Sequence, residues 1–467
     1  MKYTISIVIT ILLMISVAGN IHAYEYQGID IRGFVSQGYL YTSNNNFFAE
    51  TEKGTPQFNE AAINFSADVS DRLRVGVQFL ARDMGSVGNN EILLDWAIAD
   101  YRLDDRLGLM VGNMKFVHGL YNETRDADML RTFVLLPQSV YNESWRESIS
   151  SIQGASIYGD LSLADAGSLT YDMQYGTIAI AADKGAARLL EDQWPLGRYG
   201  LNIDVESIDV DYMYSGSLKW VSGLEGLVIG GSTWRYKFEA DCMTYLDTAN
   251  PNFTGYFTGL DTFGTQFIVY PSVFSADAQA YVGSVEYTLG NMVFAAEFMR
   301  TTYRLKIQNN LFNDGTLFNT ALVAAGQDVT SDGTFTIPRF SSQGYYTSMA
   351  YRFTSWFELG AYYSVYFANR EDRDGEDRIA RGLDNNGERY RGWLKDICLT
   401  TRFDLSENWI FKMEGHRMNG AAIMLGADNP QVNTSYGYQD SDGNDWYYEK
   451  RYIKEWFMLA GKVTYNF

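Results

Sequence analysis

Hydrophobic and polar residues alternate with a period of two along most of the chain after residue 28. In the segment 73–83, the apolar side chains that share one face are Leu73, Val75, Val77, Phe79 and Ala81. The opposite face carries Arg74, Gln78 and Arg82. Side chains of a β-strand point alternately to its two sides, so this pattern predicts strands with one apolar and one polar face.

Sixteen such segments follow one another along the chain, joined alternately by short turns and by longer polar loops. They span residues 28–41, 56–69, 73–83, 92–103, 106–115, 153–162, 167–176, 210–221, 226–236, 277–289, 292–303, 343–353, 356–367, 391–404, 409–419 and 456–467. Transmembrane β-barrels combine an even number of strands of about ten residues with short turns at one end and long loops at the other. We therefore predict an all-β fold, a transmembrane antiparallel β-barrel of sixteen strands. Eighteen is the alternative, because the stretch 177–209 could hold a further pair.

The N-terminus has the three parts of a secretory signal peptide. Met1-Lys2 supplies a positive charge, Ile5 to Val17 is largely apolar, and Ile21-His22-Ala23 is a cleavage site before Tyr24. The apolar run is shorter than the roughly 20 residues that a membrane-spanning helix needs. We expect residues 1–23 to be removed and residues 24–467 to form a single barrel domain.

Composition agrees with a barrel and excludes one class of partner. Aromatic residues make up 15% of the chain, with 34 tyrosines, while the mean hydropathy is −0.21. Only one face of each barrel strand meets lipid, and tyrosine is enriched at the two membrane interfaces, so both values suit a barrel. The formal net charge of −20 argues against a nucleic-acid partner, which would require a basic surface.

The C-terminal strand ends at Phe467, with Tyr465, Val463, Leu459 and Phe457 alternating behind it. This resembles the C-terminal signature of Gram-negative outer-membrane barrels. The resemblance implies an outer-membrane location, contact with lipid and lipopolysaccharide, and recognition of Phe467 as an assembly signal by the barrel-insertion machinery.

The third loop has a more specific likeness. The run from Gly112 through Lys115, His118 and Gly119 to Asp126, followed by Leu135-Leu136-Pro137-Gln138, resembles trimeric porins of the phosphate- and dicarboxylate-type families, although Val117 stands where those families often have proline. The resemblance implies a homotrimer whose third loop folds into the barrel and narrows it. On that basis the constriction residues are Lys115, His118, Glu123, Arg125, Asp126, Asp128 and Arg131.

Strand parity places a mixed set of charges on the inner wall. The wall residues singled out are Arg32, Glu60, Arg74, Arg82, Lys412, Glu414 and Lys462. A channel needs no catalytic group; its width and wall charges decide what passes. We predict a porin that forms a water-filled channel for passive diffusion of small hydrophilic solutes or ions, with mild cation preference from acidic outer loops. Two alternatives stay open: an anion channel selective for dicarboxylate or phosphate, and a barrel that sheathes an electron-transfer or other partner.

Enzymatic and metal chemistry have little support in the sequence. After the signal peptide only His118 and His416 remain, and no Gly-x-Ser-x-Gly motif is present. The acidic run Asp440 to Asp445 lacks the glycine and glutamate positions of a calcium loop. No Cys-x-x-Cys-His haem motif occurs. We predict no catalytic residue, no cofactor and no metal, and we expect His416 to be a polar lumen residue beside Glu414.

Overall fold

The computed structural model describes residues 24–26, 28–85, 87–192, 201–246, 269–313, 329–380, 387–426, 428–429, 434–439 and 445–467. The predicted signal peptide, residues 1–23, lies outside the described residues. So does part of the acidic run from Asp440 to Asp445.

The described strands form one large antiparallel sheet and one small hairpin. In chain order they are β1 Tyr24–Tyr26, β2 Ile29–Thr42, β3 Asn59–Ser70, β4 Leu73–Met84, β5 Val87–Asp104, β6 Leu107–Lys115, β7 Ser151–Ser162, β8 Gly167–Thr177, β9 Leu201–Ser222, β10 Leu227–Leu246, β11 Val269–Leu289, β12 Met292–Asn313, β13 Asp332–Arg352, β14 Phe357–Phe367, β15 Trp393–Asp404, β16 Trp409–Gly420, β17 Thr434–Gln439, β18 Asp445–Lys450 and β19 Glu455–Asn466. Strand β1 pairs with the start of β2, and β17 and β18 form the hairpin.

Strands β2 to β16 and β19 close a barrel of sixteen strands. Each pairs antiparallel with its neighbours in chain order, and β19 returns to β2 in a register that runs from Met458 opposite Thr42 to Asn466 opposite Phe34. Closure leaves no open sheet edge, as a strand structure in hydrocarbon requires. The prediction of an all-β, sixteen-strand barrel is confirmed.

The alternative of eighteen strands is wrong. Strand β8 pairs directly with β9, from Gly167 opposite Ser222 to Gly176 opposite Met213, so no further pair stands between them in the sheet. The described part of the stretch 177–209 contains instead the helix α1, Gly185–Asp192. The apolar residues Ile178 and Ile180 of this stretch lie in the connection that follows β8, where they are buried without belonging to a strand.

Alternation divides the wall into two chemically different faces. In β15, Ile397 and Leu399 are 55% and 57% exposed, whereas Asp396, Cys398 and Thr400 are buried. The same rule holds in β19, where Phe457 and Leu459 are exposed on the outside. An apolar outer surface and a polar inner surface follow from the period of two.

The strands β9 to β13 are longer than the sequence pattern indicated, at 20 to 22 residues each. Their hydrogen-bond ladders continue beyond the apolar alternation, for example where Cys242 stands opposite Ser272. Cys242, which lies outside the predicted segments 226–236 and 277–289, is therefore a buried residue of β10. Conversely, Met84 pairs with Val87, so β4 and β5 are joined by a tight turn where a longer loop was expected.

Short helical pieces lie in the connections between strands. Besides α1 they are α2 Glu376–Ala380 and the 3-10 turns Thr51–Lys53, Asp128–Leu130, Glu143–Ile149, Ala164–Ala166 and Arg389–Gly392. Among the described residues, no helix has the length and apolar character that crossing a membrane requires.

Two apolar clusters combine residues of the connections with residues of the strands. In one, Ala186 and Ala187 of α1 are buried with Trp234 and Phe238 of β10. In the other, Val134 and Leu135 pack with aromatic side chains that include Phe47, Phe58 and Trp456.

Candidate functional site

The connection between β6 and β7, residues 116–150, contains six of the seven predicted constriction residues. It forms polar contacts with strands around most of the barrel. The strand residues contacted include Glu60 of β3, Arg82 of β4, Asp95 of β5, Lys115 of β6, Gln174 of β8, Lys219 of β9, Ser232 of β10, Glu286 of β11, Glu297 of β12, Tyr345 of β13, Glu358 of β14, Arg402 of β15, Glu414 of β16 and Lys462 of β19. At least fourteen strands therefore contact this one segment.

Asp128 is the centre of the contacts to β16 and β19. Its Oδ1 lies 3.1 Å from Nζ of Lys412 and 3.6 Å from Nζ of Lys462, and Arg131 approaches the same atom at 3.6 Å. The backbone carbonyl of Asp128 also accepts a hydrogen bond from Lys412 at 2.6 Å. Burying two lysines is costly unless each has a charged partner, and Asp128 provides it.

Glu143 is the centre of a second group of charges. Its carboxylate lies 2.9 Å from Arg82 and 2.7 Å from Arg125, and Arg146 approaches it at 3.3 Å. Burial alone would raise the pKa of the Glu143 carboxyl, but Arg125, Arg146 and Arg82 outweigh burial and hold that pKa below its usual range. The side chain is therefore a carboxylate at neutral pH.

Glu60 joins the two groups. It accepts from Lys462 at 2.5 Å and from Arg146 at 2.8 Å. The members of this ion-pair network, as we call it below, are Glu60, Arg82, Asp95, Lys115, Arg125, Asp126, Asp128, Arg131, Glu143, Arg146, Lys412 and Lys462. Its outer branch runs from Arg146 through Asp126 and Lys115 to Asp95.

Carboxylates of the wall also bind the backbone of segment 116–150. Glu414 accepts hydrogen bonds from the N–H groups of Val134 and Leu135 at 2.9 and 3.0 Å. Glu297 accepts from the N–H of Leu120 at 2.9 Å and from the hydroxyl of Tyr141 at 2.5 Å. These hydrogen bonds fix the segment at two separate points on the wall.

His118 is fixed by two hydrogen bonds away from the network. The indole N–H of Trp234 donates to its Nδ1 at 3.0 Å, which leaves Nε2 protonated and donating to the carbonyl of Val140 at 3.1 Å. Burial lowers the pKa of the His118 imidazole to about 4, and the nearby Arg125 acts in the same direction. The ring is neutral at physiological pH and serves as a hydrogen-bond bridge.

The network joins most of the residues that the sequence singled out. Lys115, Arg125, Asp126, Asp128 and Arg131 meet Glu60, Arg82, Lys412 and Lys462 there, while Glu414 binds the adjacent backbone. Other predicted residues lie elsewhere. Arg32 faces Asp30 at 3.8 Å and is largely exposed, Arg74 donates to Ser66, and Glu123 pairs with Lys219 at 3.2 Å.

Sequence reasoning missed Asp95, Glu143 and Arg146. Glu143 and Arg146 lie three residues apart on a 3-10 turn, beyond the stretch that resembled a known loop. Asp95 lies at a register shift, since Gln78 pairs with Trp96 while Phe79 pairs with Leu94. Alternation fails at such a bulge. A cluster of opposite charges near the loop end was the only signal for Glu143 and Arg146.

A cavity of about 250 Å³ adjoins the network. Lys115, Asp126, Glu123, Trp96, Arg32 and Phe467 are among its lining residues. It thus combines charged groups of both signs with aromatic surface, near the chain terminus.

No family model matches the chain, and no curated protein matches it. Solved structures with a similar fold include OmpT of Vibrio cholerae, with 9% identity over 96% of this chain and 100% of that one and a TM-score of 0.46. An anion-selective porin of Comamonas acidovorans has 9% identity over 94% and 99% of the two chains and a TM-score of 0.49. OmpF of Salmonella typhi, in complex with daunomycin, has 12% identity over 96% and 100% and a TM-score of 0.49. All three TM-scores are below 0.5.

Proposed function

We propose that the chain is a porin of the Gram-negative outer membrane, a channel through which small hydrophilic solutes or ions diffuse passively. The observation that carries this proposal is the chemical division of a closed sixteen-strand wall, with apolar residues outside and polar residues inside. An apolar outer band suits hydrocarbon, and a polar interior suits water and solutes.

An outer-membrane location agrees with the arrangement of the chain ends. The backbone of Phe467 exchanges hydrogen bonds of 3.0 Å with Gly33 where β19 closes on β2. Recognition of this C-terminal strand by the insertion machinery, export by a signal peptide at 1–23, and contacts of the long loops with lipopolysaccharide belong to the same proposal. We also propose a homotrimer, which cross-linking in mild detergent would detect and a strictly monomeric product would disprove.

Segment 116–150 is proposed to fold into the lumen and narrow it. Its contacts with at least fourteen strands support this, since a segment outside the barrel could not touch the buried faces of Glu60, Glu297 and Glu414. These contacts also count against the alternative of a barrel that sheathes a partner, because a sheath needs a lumen free of the segment.

An anion channel is the second candidate, and the network itself favours it. Seven of its members are cationic: Arg82, Lys115, Arg125, Arg131, Arg146, Lys412 and Lys462. Five are carboxylates: Glu60, Asp95, Asp126, Asp128 and Glu143. The net charge of −20 for the whole chain acts in the opposite direction at the mouths. Selectivity depends on whether an ion at the narrowest point is affected more by the positive field of the network or by the negative field of the mouths.

Planar-bilayer recording of the purified protein tests the proposal. We expect stepwise openings, and a reversal potential in a salt gradient that is small and toward cations. A large anion-directed potential would establish the second candidate. The absence of any conductance from protein whose heat-modifiable migration shows it to be folded would overturn the channel proposal. Mouth fields are screened over about 8 Å at physiological ionic strength, so cation preference should weaken as salt rises.

A further inference from the structure

A second cluster of reactive side chains lies on the inner wall, outside the ion-pair network. Cys398 of β15 stands directly opposite His416 of β16, and Glu414 lies two residues before His416 on the same face. One ligand atom from each of the three lies within 4.8 Å of the others, and all three residues are buried. We propose that Cys398, His416 and Glu414 form a binding site for a divalent transition-metal ion, with zinc as the preferred ion.

The orientation of His416 supports a ligand role. Asp396 approaches Nδ1 of its ring at 3.1 Å, and the hydroxyl of Tyr362 donates to the same Asp396 oxygen at 2.9 Å. A carboxylate on one ring nitrogen is the usual arrangement behind a metal-bound histidine, because it fixes the tautomer and directs the other nitrogen to the ion. Asp396 is accordingly a positioning residue.

The other nitrogen, Nε2, needs a partner. It is fully buried and has no hydrogen bond within the described part of the chain, although an oxygen of Glu414 lies 3.4 Å away. A buried polar atom left without a hydrogen bond destabilises a fold. An ion between Nε2, the Glu414 carboxylate and the Cys398 sulfur would satisfy it.

The donor set decides which metals fit. Calcium and magnesium prefer six or more oxygen ligands, so a thiolate and an imidazole disfavour them. Zinc accepts sulfur, nitrogen and carboxylate oxygen together in tetrahedral geometry, and sites with three protein ligands leave a fourth position for water or another ligand. On binding, a dipositive ion would displace the proton of the Cys398 thiol to solvent and neutralise the resulting thiolate together with the Glu414 carboxylate.

The site has a mechanical consequence. Glu414 also accepts the N–H groups of Val134 and Leu135, so an ion bound to Glu414 would stiffen the point where β16 holds segment 116–150. This consequence rests on the proposed channel function, whereas the metal site does not.

The test uses the full chain, refolded and treated with a chelator, then titrated with zinc and separately with cobalt(II). We expect one zinc per barrel, and a cobalt complex with tetrahedral d–d bands and a thiolate-to-cobalt charge-transfer band. Cys398→Ser should remove the charge-transfer band and weaken zinc binding at least tenfold, as should His416→Gln. Asp396→Asn should weaken it by about 10–100-fold. Cys242→Ser is the matched control, because Cys242 is the other buried cysteine and lies on β10.

The spectrum of the unmutated protein decides the question even if a variant fails to fold. Absence of zinc binding by the parent, a cobalt complex without a thiolate band, or loss of that band in Cys242→Ser with retention in Cys398→Ser would each overturn the assignment. Conductance plays no part in these readouts, so failure of the metal site is distinguishable from failure of the channel.

Discussion

The carboxylate of Asp128 lies 3.1 Å from the ammonium group of Lys412, and at most 1% of either side chain is exposed. Asp128 is shared with Lys462 and Arg131, whereas Lys412 has no other carboxylate within ion-pair distance in the described part of the chain. Removing Asp128 therefore leaves three cations short of a partner, and removing Lys412 leaves Asp128 still paired.

We predict that Asp128→Asn lowers the free energy of unfolding by about 3–5 kcal/mol, the range for breaking a buried pair, and that Lys412→Met lowers it by less. Urea unfolding of the refolded protein measures both. Asp165→Asn, in the exposed turn Ala164–Ala166, is the control and should have little effect. Equal losses, or a larger loss for Lys412→Met, would contradict the shared role of Asp128.

A pH prediction follows from His118. Burial lowers the pKa of its imidazole from the ordinary 6.5 to about 4. Between these values the unfolded chain binds a proton that the folded chain does not, so the His118 contribution to stability is lost as pH falls from 6.5 toward 4. His118→Gln retains a donor and an acceptor for Val140 and Trp234 but has no titrating group. We expect the unfolding free energy of the parent to fall more steeply over this interval than that of His118→Gln; parallel curves would disprove the prediction.

Barrel closure should depend on the small size of Gly33. A Cβ added at Gly33 would lie 2.6 Å from the ring of Phe467 and 2.4 Å from the carbonyl oxygen of Ala62. We predict that Gly33→Val reduces the heat-modifiable, folded fraction of the protein in the outer membrane several-fold without reducing synthesis. Gly283→Ala is the control, because an added Cβ there meets nothing within 4 Å. Similar assembly of both variants would show that the contact is dispensable.

We expect the aromatic ring of Phe467 to be needed for assembly of the barrel in the outer membrane. Phe467→Asp is expected to lower assembly more than synthesis, whereas Phe467→Tyr keeps the ring and should assemble normally. The amount of folded protein in membrane fractions, relative to total protein, is the measurement. Normal assembly of Phe467→Asp would mean that the terminal residue is not an assembly signal.

Alternation was sufficient to predict the barrel because membrane strands must separate apolar from polar residues at every second position. It identified Glu414 and Lys462 as inward-facing residues in the same way. Alternation failed to predict two features. One is the helix α1 in the connection between β8 and β9, and the other is the bulge at Asp95, which reverses the parity of β5.

Contacts between segments that are distant in the chain could not be predicted from the sequence. Nothing in the pattern indicates that Asp128 meets Lys412, or that Arg146 meets Glu60, because these pairs depend on the path of a loop without periodicity. The pairing of Cys398 with His416 depends on the register of β15 on β16. Without that register, the sequence does not bring Cys398 and His416 together and so does not indicate a metal site.

The most direct measurement compares the unitary conductance and reversal potential of Arg125→Ala/Arg131→Ala with those of the parent in identical bilayers. Arg125 forms an ion pair with Glu143 and donates a hydrogen bond to the carbonyl of Tyr141, and Arg131 donates to the carbonyl of Phe133. Loss of both removes two positive charges and loosens segment 116–150. We predict a larger unitary conductance and a reversal potential shifted toward cations. Unchanged values of both in the folded double variant would contradict the claim that this segment forms the constriction.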